Sequence, residues 1–106
     1  MVATADLSRD EIVASLSRLK SKLRANGIVS LAIFGSRARG DNRPDSDLDV
    51  LIDVKPSIKF SLLDLVGVSQ IIGDELGIPA NMFMRRSLEP SMAATIRPDV
   101  IEIFHD

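Results

Sequence analysis

The sequence predicts an α/β domain in which a small sheet of four strands is flanked by helices. Three observations carry this. Segments with helical spacing alternate with short apolar runs, in the order helix, strand, strand, helix, strand, helix, strand. The 106 residues suit one domain, residues 1–106, at the small end of the usual range. Hydrophobic residues make up 45% of the chain, with four Phe and no Trp or Tyr, so a core must be built from Leu, Ile, Val, Ala and Met.

The first helix is predicted over Ser8–Asn26. Ser8 followed by Glu11 fits a capping box, and Ile12, Leu16, Leu19 and Leu23 form an apolar stripe at helical period. Asn26-Gly27 supplies the stop. Ile28–Phe34 reads as a buried strand, and Gly35 to Ser46 as a tight turn and polar loop. A second strand runs from Asp47 to Val54, with Leu48, Val50 and Ile52 on one face and Asp47, Asp49, Leu51 and Asp53 on the other. A second helix is predicted over Phe60–Leu76, with Leu62, Leu65, Val66, Ser69 and Ile72 on its inner side and Gly77 closing it. Ile78–Met84 reads as a third strand, Leu88–Thr95 as a short helix and Val100–Phe104 as a last strand. Met82, Met84 and Met92 are expected as core fillers, Arg85-Arg86 as a solvated strand end, and His105 as tail.

Composition removes several classes of function. Thirteen Lys and Arg against fifteen Asp and Glu give a net charge of −2, the wrong sign for a nucleic-acid binder. No cysteine is present, which excludes disulfides, thiolate metal sites and a Cys nucleophile, and a single histidine cannot build a His-based zinc site. No apolar run approaches membrane-spanning length, and the N-terminal stretch lacks the charged and apolar regions of a signal peptide, so no membrane is expected and the location reads as cytoplasmic.

The chemistry concentrates between Ile33 and Asp53. Gly35-Ser36 is followed, after ten residues, by Asp47-Leu48-Asp49. Carboxylates two apart on a strand share a face, with Cα atoms about 6–7 Å apart. Such a pair suits magnesium, which takes oxygen ligands, keeps several waters and is completed by substrate phosphates. Gly35-Ser36 offers a close backbone approach, a hydroxyl and free amides, which suit a phosphate. Competing patterns fail: Asp41-Asn42 stands where a P-loop needs Lys-Ser/Thr, a dinucleotide fingerprint lacks its third glycine, and Val50 occupies the position an EF-hand loop gives to Gly.

Gly-Ser-Arg-Ala-Arg-Gly at residues 35–40 and Ser-Asp-Leu-Asp at residues 46–49 resemble the minimal nucleotidyltransferases of the DNA polymerase β superfamily. These small domains are often the antitoxin half of a pair with a HEPN ribonuclease. The resemblance covers essentially the whole chain. It implies a mixed, mostly four-stranded sheet of nucleotidyltransferase type. It further implies two magnesium ions on Asp47 and Asp49, and a nucleoside triphosphate, ATP foremost, held through Gly35, Ser36, Arg39 and Ser46. An acceptor hydroxyl would attack the α-phosphate and release pyrophosphate. The implied acceptor is a tyrosine of a separate HEPN-type toxin, since this chain carries no ribonuclease pairing of its own.

One position departs from the family. Its third carboxylate, on the strand after a Leu-Gly turn, aligns without gaps with Asn81. Asparagine can offer a carbonyl oxygen but no charge, and it takes no proton from an attacking hydroxyl, a loss that costs about 10²–10⁴-fold in rate. Asp53 lies roughly 13–20 Å further along the strand, too far to substitute. Glu102 could substitute only if the last strand lay beside the site. The expectation is therefore a magnesium-dependent transferase of nucleoside monophosphate, with AMP as the leading choice. The alternative is a weakened relative that binds nucleotide or a partner toxin without transfer. The arginines are expected to be partly structural, pairing with Asp41, Asp45 or Asp53, with Arg39 rather than Arg37 the functional one.

Overall fold

The computed structural model describes residues 7–105. Met1 to Asp6, on which most of the leader reading falls, and Asp106 lie outside the described residues. Helix α1 (Arg9–Arg18) opens on the expected capping box: Ser8 Oγ accepts from the Glu11 amide at 3.1 Å, and the Ser8 amide donates to Glu11 Oε1 at 2.9 Å. The single helix expected to Asn26 is broken. The chain turns at Leu19, whose N–H bonds back three residues to Leu16 at 3.1 Å, and α2 (Lys20–Ala25) follows. The apolar stripe survives the break, with Ile12, Leu16, Leu19 and Leu23 all buried.

Strands β1 (Ile28–Phe34), β2 (Leu48–Val54), β3 (Ala80–Met84) and β4 (Ile101–His105) form one sheet in the order β3-β2-β1-β4. β1 pairs antiparallel with β2 and β4, while β2 pairs parallel with β3, so the sheet is mixed as expected. The parallel pair is bridged by α4 (Leu62–Leu76), as such a crossover requires. Helix α5 (Pro90–Ile96) lies between β3 and β4, flanked by single 3-10 turns at 85–87 and 97–99. Strand boundaries differ from expectation by one or two residues. His105 is the end of β4, paired with Ser30, rather than tail. The chain also holds an unexpected four-residue helix, α3 (Ser36–Arg39), in the turn after β1.

The two sheet faces divide the residues of β2 cleanly. Leu48, Val50 and Ile52 are fully buried against Ile12, Leu16, Leu23, Val68 and Ile72 of α1, α2 and α4, which forms the main core. Asp49, Leu51 and Asp53 stand on the other face, where a smaller cluster of Ala32, Phe34, Leu51 and Ile96 sits under α5. Phe34 and Phe83 meet there edge to face, ring centres 5.3 Å apart.

Helix α4 keeps only part of its expected inner side: Ile72 is buried and Leu65 packs on the main core, but Leu62 and Val66 face outward. Its buried row is Val68, Ile72 and Leu76, while Leu62, Leu63 and Val66 are exposed by 76%, 82% and 44%. Two apolar rows run along this helix one residue apart, and only one of them can meet the sheet. Met92 on α5 is likewise exposed rather than a core filler, whereas Met82 and Met84 pack on the main core. A second capping box starts α4, with Ser61 Oγ accepting from the Asp64 amide at 3.2 Å and the Ser61 amide donating to Asp64 Oδ2 at 2.8 Å. Replacing Ser61 by alanine is expected to lower stability by about 0.5–2 kcal/mol in urea unfolding, the usual cost of a lost cap. No helix among the described residues is long and apolar enough to cross a membrane.

Candidate functional site

Three of the singled-out side chains meet at the end of β2. The β2–β3 register sets Asn81 beside Asp49. The Asn81 amide nitrogen donates to Asp49 Oδ1 at 3.3 Å and to Asp47 Oδ2 at 3.4 Å, long bonds that make it a bridge between the carboxylates. Asp47 itself precedes β2, which begins at Leu48; the Leu48 amide donates to the carbonyl of Pro79 at 2.9 Å and ties this corner to β3.

Gly35 closes the site from the β1 side. Its φ of +80° is a conformation that L side chains rarely adopt. A Cβ placed on it would collide with Asp49 Oδ2 and lie 3.3 Å from Asp49 Cγ. The absent side chain is therefore what allows the turn backbone to rest against the Asp49 carboxylate. Ser36 follows as the first residue of α3, half-buried beside this contact.

The loop from Gly40 to Ser46 is shaped by an arginine that sequence reasoning ranked second. Arg37 is 1% exposed, and its guanidinium donates from Nε to the carbonyl of Ser46 at 2.8 Å and from Nη2 to that of Pro44 at 3.1 Å. It works as an internal peg for the loop. Ser46 accepts from the Arg43 amide through its hydroxyl at 2.9 Å, closing a small turn just before Asp47. Arg39, at the other end of α3, donates to Asp41 at 3.1 Å and to Asp99 at 2.9 Å. The hydrogen bonds it donates, to Asp41 first and then to Asp99, raise its already high pKa, so its charge persists at any working pH. Of the pairings expected for the arginines, Arg39 with Asp41 forms; Asp99 is a partner that no local pattern could reveal, being sixty residues away in sequence.

Asp53 and Glu102 join a separate group. Arg85 donates from Nε to Asp53 at 3.0 Å and from Nη2 to Glu102 at 2.9 Å, and Ser30 Oγ donates to Asp53. Arg85 thus spans the sheet face rather than ending a strand in solvent. β4 lies beside β1, with Glu102 opposite Ala32, and Glu102 is engaged by Arg85.

The donor set at Asp47, Asp49 and Asn81 consists of hard oxygens plus one rotatable amide. An N–H dipole now lies between two carboxylates, the place where positive charge is most favoured. Turning the Asn81 amide about its own axis would bring Oδ1 to the same place. The set fits a divalent cation that takes oxygen ligands and retains water. No group of three or more His, Cys, Asp or Glu placed to hold a metal ion occurs among the described residues, so protein charge at this point comes from the two aspartates.

Comparison with known proteins gives a consistent match. A model of the nucleotidyltransferase domain matches residues 16–103. Protein adenylyltransferase MntA of Thermococcus cleftensis is 31% identical over 98 residues, 92% of this chain and 97% of that protein. A solved structure provisionally named a minimal nucleotidyltransferase aligns with a TM-score of 0.76 at 27% identity, over 92% of this chain and 97% of its own. A chain from the complex of tri-AMPylated Shewanella oneidensis HEPN toxin with MNT antitoxin shares the fold, with a TM-score of 0.65 at 12% identity, over 90% of this chain and 73% of that one.

Proposed function

Because this chain belongs to the nucleotidyltransferase domain family, a family of transferases, we propose that it moves AMP from ATP onto a hydroxyl of a separate partner protein. The relative MntA is named for adenylylation of protein. The HEPN toxin in the neighbouring complex is tri-AMPylated. A HEPN-type toxin is accordingly the partner this reading names.

The observation that carries the reading is the junction of Gly35, Asp47, Asp49 and Asn81. Asp47 and Asp49 would hold magnesium, with Asn81 Oδ1 as a neutral ligand once its amide turns. When bound, the metal supplies charge neutralisation at the attacking and leaving oxygens. The remaining roles fall to the chain itself. The Gly35-Ser36 turn and the Ser36 hydroxyl hold the β- and γ-phosphates, and Ser46 and Arg37 fix the loop that presents Asp47. Arg39 sets α3 against Asp99 at the phosphate end. The acceptor oxygen bonds to the α-phosphorus as the bond to the pyrophosphate oxygen breaks; pyrophosphate leaves, and the hydroxyl proton passes to solvent. Asn81 takes up no proton, which makes this a slower transferase than one with a carboxylate there, by about 10²–10⁴-fold.

The same amide supports a second reading, in which the chain binds nucleotide or toxin without transfer. The test is incubation with α-labelled ATP, Mg²⁺ and the genomic-neighbour protein. Wild type is expected to label the partner, Asp47→Ala to label nothing, and Asn81→Asp to label it faster. No label from wild type together with label from Asn81→Asp would establish the second reading instead.

A further inference from the structure

β3 is an outer strand of the sheet, and its free side is unprotected. The bond from the Leu48 amide to the Pro79 carbonyl fixes the phase of the parallel ladder. Odd-numbered residues of β3 bond to β2, and the backbone groups of Ala80, Met82 and Met84 turn to the open edge. Outer strands are usually blunted by charges, proline or a bulge. β3 is Ala-Asn-Met-Phe-Met and carries none of these, whereas β4 at the opposite edge carries Glu102 and His105.

Exposed apolar surface gathers at the start of α4, and Val66 brings it to this edge. Ile58, Leu62, Leu63 and Val66 are four of the five exposed large hydrophobic residues among the described ones, and all sit at the start of α4 or just before it. Between α4 and β3 runs an open groove of about 400 Å³, with Leu65, Val66 and Met82 in its walls. Asn81 is also in the wall, and its side chain reaches both carboxylates of the candidate site. The groove therefore ends at the place where an acceptor hydroxyl is needed.

We infer that the free edge of β3 and the exposed face of α4 dock the acceptor protein as an added strand. That strand is an extended segment whose hydroxyl residue is flanked on both sides by apolar residues. The inference rests on the reading of this chain as a protein-modifying transferase. The flanking pattern follows from strand geometry. Side chains of an added strand alternate between faces, so a hydroxyl directed to the face of Asn81 places its two neighbours on the face of Met82, Leu65 and Val66. A second copy of this chain fits the edge less well. Its own β3 carries no hydroxyl residue, and edge-to-edge pairing would cover the approach to Asp47 and Asp49 without bringing an acceptor.

The probe is a fluorescent synthetic peptide with one tyrosine between valines, followed by anisotropy without ATP. Two further peptides carry backbone N-methyl groups on alternate residues, one in each phase. Wild type is expected to bind the parent peptide and one N-methylated phase but not the other, since only one phase faces the edge. Val66→Glu and Leu63→Glu alter exposed positions and are checked for wild-type circular dichroism. They are expected to weaken binding about tenfold or more, because each sets a charge against apolar side chains. Equal binding of both N-methylated phases, unchanged binding by the Glu variants, or no binding at millimolar peptide overturns the inference. So does a wild-type dimer in sedimentation that Val66→Glu dissociates, which makes a second copy the occupant. Peptide bound in the expected way, with no label transferred to it or to the partner protein, tells against the transferase reading and leaves the docking surface standing. Labelling of the partner undiminished by Val66→Glu does the reverse.

Discussion

Gly35→Ala is expected to reduce nucleotide transfer by about 10²-fold or more and to lower stability by about 1–3 kcal/mol. Two effects combine in it. The backbone at φ +80° is strained for any residue with a Cβ, and the added carbon would occupy the space of Asp49 Oδ2. The carboxylate or the turn must move, and a shift of about 1 Å in a group that positions reactants costs on the order of 10²-fold. Gly40 separates the two effects. At φ +85° and ψ 10° it sits in the left-handed helical region, a milder strain than that of Gly35 at ψ −161°, and nothing lies within 4 Å of a Cβ built there. Gly40→Ala should therefore lose about 1–2 kcal/mol in urea unfolding with transfer largely preserved. Equal loss of transfer in both variants, measured at a temperature where both are folded, would refute the role given to the Gly35–Asp49 contact.

Arg37→Ala is expected to be the most destabilising change in the polar loop, at about 2–5 kcal/mol in urea unfolding. The side chain is buried, so its removal empties a packed site and takes the charged donor from the part-buried bonds to the Ser46 and Pro44 carbonyls, each bond to a charged group being worth about 1.5–3 kcal/mol. Arg37→Lys should recover only part of this, because an ammonium cannot reproduce two donors in a fixed fork. The loop carries Asp47 at its end, so labelling from ATP should fall along with stability. A change below about 0.5 kcal/mol, typical of an ordinary surface position, would show that the peg is not needed.

How much of this was legible varies with the range of the physical cause. The two faces of β2 followed from strict alternation, because a strand one residue out of phase would bury Asp49 and Asp53 and expose Leu48, Val50 and Ile52. Asn81 is singled out through the resemblance to the family's third carboxylate position, and the third strand, although shorter than expected, sets it beside Asp49. The break at Leu19 left no mark, since Leu19 belongs to the apolar stripe and favours helix wherever the chain bends. Helix α3 is too short for any periodicity. Arg37 and Arg39 are alike in local sequence, and only the folded loop decides which is enclosed and which reaches Asp99. On α4 two apolar rows compete: of the residues expected inside, Ile72 and Leu65 pack on the core while Leu62 and Val66 lie exposed. Roles for Ser36, Arg39 and Ser46 rest on the family motif, while the structure contributes their placement.

The two-sided character of β2 has a consequence for how such a protein can change over time. Every residue of the main core on this strand points to one side, and Asp49 with its neighbour Asn81 points to the other. The chemistry at the carboxylate pair can therefore be rewritten without touching the packing that keeps the chain folded. Aspartate and asparagine codons differ by a single base. A lineage with this architecture can lose its third carboxylate, or regain it, in one mutational step, while the fold and its surfaces remain available to selection for other uses.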